Sequence, residues 1–148
     1  MDITYNHLKT YVRNQLFYPL INRQLSVLNS SFGEIEKTIN AEDITLIYPK
    51  NLFLDNNFVE MYIFDNKEHL IMSIYKDELI TSKIFCLRDI TLVDSTFNLQ
   101  NDARTLILKF RDGDIVELNS TRDTNSNHSR TFSELILGIS RLILNSRG

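Results

Sequence analysis

The sequence predicts an α+β fold in which helices come first, an antiparallel meander of about seven short strands follows, and an amphipathic helix closes the chain. Three observations carry this. Roughly the first forty residues place apolar side chains at helical spacing, the next eighty or so alternate apolar and polar residues, and about the last fifteen return to a helical stripe. We read 1–148 as one domain, with 1–40 as a helical extension and 44–145 as the sheet and its helix.

In the extension, Ile3, Leu8, Val12, Leu16, Leu20, Ile21, Leu25 and Leu28 recur mostly three to five positions apart, an amphipathic helical period over 2–29. Pro19 removes a backbone donor and clashes with the preceding turn, so a kink or two helices meeting near Tyr18 is expected. Ser31 and Glu34 have the spacing of a capping box, which predicts a further short helix through Ile35 and Ile39.

From Ile44 the period becomes two. Segments 45–48, 58–64, 69–75, 79–87, 90–97, 104–110 and 115–119 read as strands rich in Ile, Val, Phe, Tyr and Thr. Asp65-Asn66-Lys67-Glu68 and Lys76-Asp77-Glu78 have the look of tight turns, and Asp112-Gly113 is the strongest hairpin signal in the chain. Connections this short demand antiparallel neighbours. Leu106, Leu108 and Phe110 share one strand face while Thr105, Lys109 and Arg111 alternate with them, so that strand has one wet side. In the last element, Phe132, Leu135, Ile136, Ile139, Leu142 and Ile143 form one stripe, and Thr131 with Glu134 repeats the capping-box spacing, predicting a helix over 131–145.

This element order resembles the pleckstrin-homology-like superfold, on the strength of the 106–118 hairpin followed by the 131–145 helix. The chain also resembles small uncharacterised proteins of Bacillus-type bacteria or their phages. The superfold resemblance implies a bent sheet or barrel plugged by the helix. Its phosphoinositide-binding members use basic residues around the first loop, and the matching loop 49–57 offers Lys50 beside Asp55, so phosphoinositide binding is not expected. The remaining repertoire is capture of a protein or peptide at a sheet edge or beside the helix.

Composition narrows the function further. With 148 residues, a net charge of -3 and a pI near 5.6, the chain lacks the basic footprint that neutralises nucleic-acid phosphates. Arg104, Lys109, Arg111, Arg122 and Arg130 gather in the last third, but Asp102, Asp112, Asp114, Glu117 and Asp123 are interleaved with them and cancel the field. No apolar run approaches the roughly 20 residues that span a bilayer, and the first residues do not form a secretory signal, so a cytoplasmic setting is expected.

Asp123, Asn125, Asn127, Ser129 and Glu134 fall at positions 1, 3, 5, 7 and 12 of an EF-hand count, the one metal alternative, with calcium as the ion. His128 stands where that loop needs glycine, so no metal and no cofactor is the expectation. Cys86 lies among apolar residues and reads as a buried thiol, while the three histidines, His7, His69 and His128, share no catalytic motif with it. Gly138 inside the last helix suggests a close approach between helix and sheet. A non-catalytic module that binds a protein or peptide, or a second copy of itself, is therefore expected. A protein that occupies a toxin or host factor, as an immunity or antidefence protein does, is the narrower form of that reading. The alternative is a small-ligand carrier or enzyme using the concave sheet face with Cys86, His69 or Tyr62, and Phe58, Tyr62 and Phe64 share a strand face that would matter if exposed.

Overall fold

The computed structural model describes residues 3–15, 23–54, 58–76 and 79–147. Helices α1 (Tyr5–Gln15) and α2 (Arg23–Thr38) precede strands β1 (Ile44–Lys50), β2 (Val59–Asp65), β3 (His69–Lys76) and β4 (Leu79–Cys86). Strands β5 (Ile90–Phe97), β6 (Arg104–Phe110) and β7 (Ile115–Asn119) follow, and α3 (Ser129–Arg147) ends the chain. The strands form two antiparallel sheets, ordered β1-β2-β3-β4 and β5-β6-β7. They do not close into a barrel. The expected single bent sheet is replaced by two, because a short 3-10 turn at Leu87–Asp89 separates β4 from β5.

The first sheet is covered on both faces, which accounts for β2. Val59, Met61 and Ile63 point to one side, Tyr62 and Phe64 to the other, and all five are buried. The outer side receives α1 and α2, whose Leu8, Val12, Leu28, Phe32 and Ile35 are buried in the same core, with the Tyr5 and Phe32 rings edge to face at 5.7 Å. On the inner side lie the second sheet and α3. Phe85 of β4 meets Phe110 of β6 at 4.3 Å, and Tyr48 of β1 meets Phe132 of α3 at 5.0 Å.

The second sheet has the wet face its alternation predicts: Leu106, Leu108, Phe110, Val116 and Leu118 are buried, while Lys109, Ile115 and Glu117 are exposed. Its β6–β7 turn needs Gly113, whose φ of 96° lies in the left-handed region, and Asp112 Oδ1 accepts the Asp114 N–H across it. The β2–β3 turn is held by Asp65, whose Oδ1 accepts the N–H groups of Lys67 and His69.

Both predicted capping boxes fail, for one reason. A capping side chain works only at a helix start, and Ser31 and Thr131 both sit inside longer helices. Ser31 instead donates its hydroxyl to the Leu28 carbonyl at 2.5 Å, so α2 runs unbroken where a separate short helix was expected. The predicted kink at Pro19 and the turn residues Asp77 and Glu78 lie outside the described residues. Gly138 does approach the sheet: a Cβ there would lie 3.7 Å from both terminal methyls of Leu46, an ordinary contact.

Candidate functional site

The second half of α2 crosses the outer face of β3 and β4 and leaves a cleft of about 300 Å³ between them. Its walls are aliphatic, made of Ile35 and Ile39 from the helix and Ile63, Ile71, Ile80 and Ile84 from the strands. Strand parity puts them together, because Ile71 pairs with Ile84 and Ser73 with Ser82, and these four residues lie on the same face. The floor is polar. Ser73 and Ser82 share a hydrogen bond of 2.8 Å, and Ser31 is buried beside them. The Tyr75 hydroxyl is buried near Ser31 and Ser73 without a hydrogen bond to either, and burial pushes its pKa up. Glu34 at the rim is held by Lys37 at 2.8 Å.

A polar hollow of about 250 Å³ continues the cleft, sharing Thr38 and Ile39 with it and adding Asp43, Asp65, Lys67 and His69. Asp65 is buried, which raises its pKa. Three hydrogen bonds outweigh that, from the His69 N–H, from the His69 ring Nδ1 at 3.0 Å and from the Lys67 N–H, and leave its carboxyl below the usual range. The Lys67 ammonium is 3.5 Å from Asp43.

Of the three residues expected at a concave-face site, the structure brings together two. His69 is the register partner of Cys86 across β3 and β4, and Asp65 fixes the ring. The thiol is half-buried rather than buried, since it ends a strand at a sheet edge, and no hydrogen bond joins it to the imidazole. Tyr62 lies on the opposite face and donates its hydroxyl to Glu60 Oε1 at 3.2 Å. Of the aromatic trio Phe58, Tyr62 and Phe64, only Phe58, just before β2, is exposed.

The calcium alternative does not assemble. Asp123 is buried, and its Oδ2 accepts the Tyr48 hydroxyl and the Asn119 N–H, each at 2.7 Å, with the Lys50 ammonium 3.8 Å from Oδ1. Burial raises the Asp123 pKa and pushes the Tyr48 phenol far above its ordinary range. Asn125 Oδ1 is taken by the His128 N–H and ring, Asn127 is exposed, and Glu134 is an exposed residue 3.9 Å from Arg130. These oxygens point to different neighbours. Among the described residues, no three His, Cys, Asp or Glu side chains are placed to hold a metal ion, and no helix is long and apolar enough to cross a membrane.

The feature that sequence reasoning missed is the free edge of β4. Leu79 is 70% exposed, Ile80 38% and Ile84 56%, on a strand that, among the described residues, is paired on one side only. The strand's one charged residue, Lys83, folds over toward Asp112 and Asp114 of the β6–β7 turn. The signal was present as the run Leu79-Ile80-Thr81-Ser82-Lys83-Ile84-Phe85-Cys86, apolar on both faces with a single charge. Nothing in that run says that its neighbour on one side is missing.

No curated protein and no solved structure matches the chain. The family described as "Protein of unknown function (DUF3908)" matches residues 5–134, and the chain belongs to that family.

Proposed function

We propose that this protein is a non-catalytic interaction module that binds a protein or peptide by adding an extended segment to the free edge of β4. The observation that carries this reading is the exposure of Leu79, Ile80 and Ile84 on a strand whose second edge is free among the described residues, beside an aliphatic cleft. Such an edge offers backbone hydrogen bonds for affinity and side-chain hollows for specificity. In the same reading the two-sheet body and its closing helix form a pleckstrin-homology-like scaffold. To this scaffold α2 adds the cleft's second wall, and the setting is the bacterial cytoplasm, for a bacterial or a phage protein.

The test is selection of displayed heptapeptides on the full chain, with counter-selection on Ile84→Lys. Enrichment of β-branched, apolar peptides whose binding protects β4 amides from exchange is expected. Peptides that bind the variant equally well, or protect other strands, overturn the reading.

A further inference from the structure

We infer that β4 pairs with β4 of a second copy of this chain, antiparallel, about a two-fold axis through Ser82. This rests on the reading of β4 as a docking edge and names its occupant.

A two-fold axis normal to the sheet keeps the cleft faces of both copies on one side, so only registers centred on a residue are open to the pair. Three such centres lie in the middle of the strand. Centring on Lys83 sets two ammonium groups directly opposite each other, which is unfavourable. Centring on Thr81 sets Ile80 against Ser82 twice, so the exposed isoleucines do not meet. Centring on Ser82 sets Ile80 against Ile84 twice, Leu79 against Phe85 twice, and Lys83 against Thr81.

That last register sets apolar residues against apolar ones and brings no like charges together. Ile80 and Ile84, 38% and 56% exposed, cover one another on the cleft face, and the small Ser82 residues meet at the axis. Within one chain Ser82 already pairs with Ser73 in the same manner. Each Lys83 stays with Asp112 and Asp114 of its own β6–β7 turn and meets only a hydroxyl across the axis. Two four-stranded sheets become one of eight, and the two clefts open toward each other along a shared wall of isoleucines. Each copy offers one β4, so the contact closes at two and does not propagate.

Sedimentation equilibrium of the full chain from about 1 to about 200 µM tests this. A reversible species at twice 17.3 kDa is expected. Ile84→Lys, on an exposed side chain, is expected to weaken association by about tenfold per site and so about a hundredfold across both copies. The double variant Ile80→Glu/Ile84→Lys sets the two introduced charges face to face in this register and no other, and is expected to recover association in low salt. Circular dichroism melts show whether each variant is folded. A wild-type chain that stays at 17.3 kDa, a dimer that ignores Ile84→Lys, or a double variant as weak as the single one overturns the pairing. If the chain is monomeric and displayed peptides still select on β4, the self-pairing falls and the docking edge stands.

Discussion

The Tyr48 hydroxyl donates a 2.7 Å hydrogen bond to Oδ2 of Asp123, joining the middle of β1 to the loop that leads into α3. The same oxygen accepts the Asn119 N–H at the end of β7, and the Asp123 carbonyl accepts the Asn51 N–H just after β1. One buried carboxylate residue thus ties the first sheet to the second and fixes where α3 begins. Tyr48→Phe leaves that carboxylate buried with one donor fewer and is expected to cost about 1–3 kcal/mol, read as a lower urea midpoint with an unchanged slope. No change in midpoint would mean that water replaces the phenol and that the bond is not what joins the sheets.

Because burial raises the Asp123 pKa, the folded state holds the proton more tightly than the unfolded chain does. The stability contributed by this group is therefore complete below the unfolded value near 3.8 and is lost as pH rises through the higher folded value. Asp123→Asn keeps an acceptor for Tyr48 and Asn119 but does not titrate. The stability of wild type minus that of Asp123→Asn is expected to fall as pH rises above about 4 and then to level off. A flat difference across that window sinks this assignment.

His128 gives a dependence of the opposite sign. Its ring stacks on Phe53 at 3.8 Å with planes 3° apart, and Phe53 in turn touches the Tyr11 and Phe132 rings, so the loop after β1 is clamped between α1 and α3. Burial lowers the His128 pKa below 6.5, so the folded state favours the neutral ring. Its contribution is present above 6.5 and is lost as pH falls through the lower folded value. Melting temperatures between pH 7 and pH 5 are expected to drop more for wild type than for His128→Phe, which stacks but does not titrate. Equal drops would show that the clamp is indifferent to charge.

These ties mark where sequence reading stops. The antiparallel strand-rich stretch was legible because runs of β-branched and aromatic residues, alternating in places, report a pleat wherever they occur, and the wet face of β6 followed from the same rule. Hydrogen-bond partners of single polar residues were not legible. Asp123 can be counted at position 1 of an EF-hand pattern, but its hydrogen-bond partner Tyr48 lies 75 positions away and nothing local reports it. Ser31 and Thr131 have the right spacing for caps, but spacing is silent on where a helix starts. The cleft was hidden for the same reason: Ile35 and Ile84 become neighbours only after two helices fold back across the outer face of the first sheet. Spacing does not pair Cys86 with any one histidine; the register of β3 and β4 sets it opposite His69.

Gly138 allows the last expectation to be stated with its sign. In the sequence, a glycine in the middle of an amphipathic helix points to a close approach between helix and sheet. The structure gives a milder geometry, since a methyl group built there meets Leu46 at 3.7 Å on both terminal carbons, within ordinary van der Waals contact. Glycine in a helix interior costs roughly 0.5–1 kcal/mol relative to alanine, because the unfolded chain has more freedom to lose. Added contact with Leu46, which itself packs against the core, works in the same direction. Gly138→Ala is therefore expected to stabilise the fold by about 0.5–1 kcal/mol, seen as a higher urea midpoint. A lower midpoint would mean that Leu46 cannot hold its position against the methyl, and that the helix sits closer to β1 than these distances allow.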